Sequence, residues 1–224
     1  MTDKTEKNYI GDVVRQEMSN YQSRKEVTIL SGAGVLVAGT ILAQVLLAGT
    51  AVSAAKAGGN TGGGTCTPDV ATPVLDGAVA GVYKVRCGTL VANGGVFEVV
   101  DPNGASLGEA IAGVAFSNQI KFVLADVGTD FAIGDGFDIT VAAGSLKYQK
   151  AVSGAVNGTQ TGAAILLEDV DATDADVTEA LVLVREAQVS LGGLTYDASA
   201  DDDNKKAALR AGLEAANVQF LTAA

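Results

Sequence analysis

"SGAGVLVAGTILAQVLLAGTAVSAAKAGG", residues 31–59, is the stretch whose reading decides the fold. No charged residue occurs between Glu26 and Lys56, and Arg24 and Lys25 stand just before the run. An uncharged stretch of this length exceeds the roughly 20 residues with which a helix crosses a bilayer. The run also holds Gly32, Gly34, Gly39 and Gly49. With its flank it carries a β-branched set: Val27, Ile29, Val35, Val37, Thr40, Ile41 and Val45. Those residues suit strands broken by turns, although glycine is tolerated in membrane helices. On pattern alone, span and strands stand level.

Two other readings of the run fail. "VTILSGAGVLVAG" begins like a dinucleotide-binding turn, but the motif needs a small residue where Val37 stands. The acid expected about twenty residues further on would fall near Ala57, in a region without acids. A secretory signal is opposed by the 26 residues of mixed charge ahead of the run, in place of a short basic leader.

Outside the run, composition excludes several classes. The chain has 224 residues, 48% of them apolar, enough to fill a real core. Its net charge of −11 opposes nucleic-acid binding, because an anionic surface repels phosphates. The absence of histidine removes the commonest general base and metal ligand together. Cys66 and Cys87 are too few for a disulfide scaffold and match no zinc spacing; Cys87 reads as a small core residue on a strand.

Four segments separate along the chain. Residues 1–26 are polar with scattered apolar residues, a flexible arm. Residues 27–57 are the apolar run. Residues 58–144 open with "GGNTGGGT", read as a flexible joint, and continue as an antiparallel meander. In it Tyr83, Val85 and Cys87 alternate with Lys84 and Arg86, "VFEVVDPNGASLGEAIAG" forms a hairpin about Pro102-Asn103-Gly104, and Ile120, Phe122, Leu124, Phe137, Ile139 and Val141 face inward. All three prolines and five of six phenylalanines fall here, so the segment owns a core. Residues 145–224 carry the strands "SLKYQKAV" and "TGAAILLEDV", a hairpin-like "EALVLVREAQVSL" and one helix. The helix starts at Ser199 and Asp202 in a capping-box pattern, with Lys206, Leu209, Leu213 and Ala216 on one stripe. The fold class is mainly β with one C-terminal helix (α+β).

Candidate chemistry is thin. "EDVDATDADVTE", residues 168–179, gathers six acids, but a calcium loop counted from Asp169 would need glycine and glutamate where Asp174 and Ala180 stand. Asp126, Asp130, Asp135 and Asp138 read as surface-loop acids, since aromatics to line a sugar cleft are scarce. The glycines of 58–64 have no following lysine, so they form no phosphate loop. No catalytic constellation, metal site or cofactor is indicated.

The order of pieces resembles the head decoration proteins of tailed bacteriophages, of the type found on phage lambda. The resemblance rests on the strand Gly39 to Val45, on "NGTQTGAAILL" around Gly158 to Leu167, and on the terminal acidic-KK-A helix from Asp201. It covers residues 24–57 and 145–224, and 58–144 looks like the β-insert of longer members. It implies a homotrimer on the outer surface of the expanded head, at threefold and quasi-threefold positions. There it would cement the major capsid protein against DNA pressure, with no membrane, no direct nucleic acid, and assembly in the host cytoplasm. The arm would be the capsid clamp, with Tyr9, Ile10, Val13, Val14 and Tyr21 spaced as anchors and Val27 and Ile29 continuing into a pairing strand. The resemblance thus makes the apolar run β-structure of the trimer core. The competing class is a cell-surface or secreted β-protein anchored by residues 27–52, distinguished by solubility without detergent.

Overall fold

The computed structural model describes residues 9–92 and 94–222, and it is mostly β-structure. It divides into two compact units: residues 1–45 with 146–224, and residues 46–145.

The first unit is built on a closed five-stranded barrel. Around it run Tyr148–Lys150, Arg24–Ile29, Val177–Leu183, Ala164–Leu166 and Ile41–Gln44, the last pairing back to the first. Closure lets strands this short leave no unpaired edge. Alternation along the strands feeds two cores. One gathers Val27, Ile29, Leu42, Ala164, Leu166 and Val182. The other takes Ile41, Ala43, Ile165 and Leu183 against Leu209 and Leu213 of the helix Asp203–Ala215. The helix is capped by Asp202, whose carboxylate accepts from Lys205 N at 2.8 Å. Ser199, the expected cap, instead accepts from Ser153 N through its hydroxyl. Gly162 and Gly212 let this helix approach at backbone distance, Gly162 N donating to Leu209 O at 2.9 Å.

The apolar run is strands. Arg24–Ile29, Gly34–Leu36, Ile41–Gln44 and Leu47–Ala55 cover it, and no described helix is long and apolar enough to cross a membrane. The run is also shared: Leu47–Ala55, grouped by sequence with the first unit, pairs with Gly136–Ala143 of the second. The strands of "EALVLVREAQVSL" do not form a hairpin. Val177–Leu183 joins the barrel, while Ala187–Ser190 joins a separate sheet between Val14–Glu17 and Val218–Leu221. Glu186, at φ 50°, makes the break.

The arm is the larger correction. Residues 1–8 lie outside the described residues, but residues 10–26 fold onto the first unit. Val13 is 0% exposed, Val14–Glu17 pairs with Ala187–Ser190, and Arg24 grips Glu17 with two hydrogen bonds of 2.9 and 2.7 Å. The turn Ile10–Val13 lies so close to Gly193 that a Cβ there would stand 2.6 Å from Asp12 O. A polar segment can order when a few of its side chains complete a core built elsewhere in the chain.

The second unit is antiparallel throughout. Five strands run in the order Leu47–Ala55, Gly136–Ala143, Gly81–Val91, Gly94–Val100 and Ser106–Ile111. Three more are ordered Ala115–Ser117, Lys121–Ala125 and Thr65–Pro68. Tyr83, Val85, Cys87, Phe97, Phe122, Leu124 and Ile139 fill one core, with Phe131 edge-on to Phe97 at 4.8 Å. The hairpin turn is fixed by Asp101, whose carboxylate accepts from Asn103 N and Ala105 N, and by Gly104 at φ 89°.

"GGNTGGGT" is no free joint. Buried Asp135 accepts from Thr61 N at 2.8 Å and Gly62 N at 2.9 Å, and Asn60 Oδ1 accepts from Gly136 N. A Cβ on Gly62 would lie 2.7 Å from Asp130 O, and one on Gly64 would enter the Phe131 ring. These glycines are needed for close packing.

Candidate functional site

The seven anchor residues divide by direction. Tyr9 is 72% exposed and Tyr21 91%, both facing solvent. Val13, Val27 and Ile29 are buried, and Ile10 and Val14 pack half-buried against the same core as Val13. Burial leaves Val13, Val27 and Ile29 no face for a partner. Only Tyr9 and Tyr21 of the seven stand free, and Met18, which sequence reasoning passed over, joins them at 73% exposed.

Four of the six acids of 168–179 are tied into the fold. Glu168 accepts from Leu181 N, Asp169 from Ala38 N, Asp171 from Thr173, and Asp176 from Ser31 N and Lys147 Nζ. The hydroxyl and amide of Thr173 hold the Asp171 carboxyl below its ordinary value, and Lys147 does the same for Asp176. Among the described residues no group of three or more Cys, Asp or Glu could hold a metal ion.

Of the four loop acids Asp135 and Asp138 are structural, whereas both carboxylate oxygens of Asp126 are shielded from solvent without a hydrogen-bond partner. Asp138 pairs with Arg86 at 2.5 Å. Burial pushes the Asp135 carboxyl up, but the amides of Ala132, Thr61 and Gly62 and the charge of Lys56 outweigh it, leaving it below the ordinary value. Both cysteines are free thiols, and burial pushes Cys66 up to about 11, away from a reactive thiolate.

One surface is built differently. Tyr21, Arg24, Lys25 and Arg185 line a concavity with Gln22 and Glu186, and an adjoining one shares Lys25, Arg185 and Glu186. Lys25 stands on the register of Val27 and Ile29, the inward one, but at the strand's outer end, where it is exposed. A charge on an apolar register was the signal for it in the sequence. Arg185 gave none.

Among curated proteins none matches. A solved structure, "Crystal structure of Xanthomonas campestris FlgL", is similar over 50% of this chain and 34% of its own, at 19% identity and TM-score 0.30, and at that score carries no argument. The family model "Bacteriophage lambda head decoration protein D" matches residues 3–218, across both units. On that match over nearly the whole chain, the chain belongs to the phage lambda head decoration protein D family, whose members are structural proteins of the virion capsid rather than enzymes.

Proposed function

We propose that three copies of this chain form a cement unit on the outside of the expanded phage head. It sits at threefold and quasi-threefold positions and holds neighbouring major capsid subunits together against DNA pressure. The family match over residues 3–218 carries this reading. An acidic exterior suits it, since the DNA lies on the far side of the shell. Burial of most of the apolar run within one chain leaves only a part of it as a reason to trimerise. The apolar surface that favours self-association is smaller: Val35 at 67% and Val37 at 37% exposed in the first unit. Tyr9 and Tyr21 remain as side chains of the N-terminal segment free to touch the shell. Sedimentation without detergent is expected to give a species near three times 22.5 kDa. Mass spectrometry of purified virions is expected to find this chain in numbers comparable to the major capsid protein. A strict monomer, or a chain missing from virions, would overturn the reading.

A further inference from the structure

We infer that the basic concavity formed by Arg24, Lys25 and Arg185 in the first unit is a docking surface for an acidic segment of the major capsid protein. The inference rests on the proposed attachment to the head and specifies where and by what chemistry it occurs. Its basis is where the cations of an acid-rich chain are left over. The chain has 15 lysines and arginines against 26 acids. Most cations that sit near a carboxylate are engaged: Lys121 with Asp69, Lys147 with Asp176, Lys150 with Asp197, Lys205 with Asp201, Arg86 with Asp138. Lys25 and Arg185 have no carboxylate partner among the described residues, yet they line the same two adjoining concavities. Arg24 adds a third cation, shared with Glu17, and Glu186 is the one acid in the lining.

Placing unpaired like charges side by side is unfavourable within the monomer, and a partner of opposite sign relieves it. The occupant must be short and acidic. A long polyanion such as nucleic acid would meet the negative surface that gives the chain its net −11. A second copy of this chain is a poorer source, because most carboxylates of its acidic runs, although exposed, already have hydrogen-bond or ion-pair partners in their own chain. Asp169, Asp171 and Asp176 accept local hydrogen bonds, Asp201 pairs with Lys205, and Asp202 caps the helix. A carboxylate-bearing capsid segment fits what remains. Tyr21, 91% exposed at the rim, offers such a segment an aromatic face.

The test uses the full chain and expanded heads stripped of decoration protein. The charge-reversed variant K25E/R185E and the neutral K25Q/R185Q change exposed side chains, so circular dichroism and sedimentation are expected to match the unsubstituted chain. Head binding is expected to fall by roughly tenfold for the neutral pair and further for the reversed pair, with a shallower salt dependence. Carbodiimide coupling on decorated heads, which joins lysine to carboxylate, is expected to link Lys25 to an acidic peptide of the major capsid protein. Full occupancy by K25E/R185E at unchanged salt dependence would overturn the inference while leaving attachment intact. Loss of the trimer in K25E/R185E, or a Lys25 cross-link to another copy of this chain, would instead make the patch a self-contact. Release of the unsubstituted chain from heads by competing DNA would make it a nucleic-acid site. If the unsubstituted chain binds no heads, the attachment reading falls and this inference with it.

Discussion

Val13 has no exposure to solvent, although it lies in the most polar stretch of the chain. Its methyl groups complete a core with Val189, Leu209 and Leu213, so Val13→Ala is expected to destabilise the first unit by about 1.5–3 kcal/mol. Urea denaturation followed by far-ultraviolet circular dichroism measures it, and no change would mean the segment does not pack there. Asp135 makes a sharper test. Asp135→Asn weakens three charge-assisted hydrogen bonds at the buried end of the glycine segment, a loss of about 2 kcal/mol. Because the folded carboxyl titrates below its ordinary value, its contribution is complete above the unfolded pKa near 3.9 and vanishes as pH falls through the folded one. The gap in urea midpoint between the unsubstituted chain and D135N should therefore be wide at pH 7 and close on the acid side. A gap independent of pH would deny the role of the charge. Neither residue was legible. The partners of Val13 lie far along the chain, and an acid beside glycines looks the same whether it faces solvent or holds a loop.

Strands of the second unit were legible because a period of two leaves a direct imprint: Tyr83, Val85 and Cys87, predicted inward, are 0%, 0% and 3% exposed. The C-terminal helix was legible through its stripe, with Leu209 and Leu213 buried, although its cap shifted from Ser199 to Asp202. Connections were not. "GGNTGGGT" has the composition of a flexible linker, and only close approach to Asp130 and Phe131 shows why glycine is required. The apolar run reads as one block, yet it serves both units, because hydrophobicity records burial and not which core receives the side chain. Where the chain leaves the first unit and returns to it, the backbone of that unit is paired. Val45 N donates to Lys147 O at 3.0 Å, and Leu146 N donates to Val45 O at 2.9 Å. The two ends of the second unit thus leave from hydrogen-bonded neighbours. Replacing residues 46–145 by a short Gly-Asn turn is expected to leave a soluble first unit with its helix intact. Insoluble or unfolded product would show that the cores depend on each other.

At the scale of the whole molecule, charge decides behaviour in solution. With 26 acids, 15 cations and an isoelectric point near 4.3, the chain carries a net negative charge whose long-range repulsion opposes aggregation at neutral pH. Light scattering is expected to show solubility passing through a minimum near pH 4.3, where that repulsion disappears. A minimum elsewhere would point to a charge the sequence does not carry. Family membership was legible as a resemblance carried by the order of pieces, the strand Gly39 to Val45, the stretch Gly158 to Leu167 and the helix from Asp201, as the match over residues 3–218 bears out. The basic concavity was not, since Arg185 joins Lys25 only through the pairing of Arg24–Ile29 with Val177–Leu183. The pair of hydrogen bonds at Val45 and Leu146 has a genetic consequence. All of the second unit is encoded by one uninterrupted block of codons whose borders meet in the folded protein. A single recombination event can therefore lose, gain or exchange that block without altering any codon for the barrel or its helix.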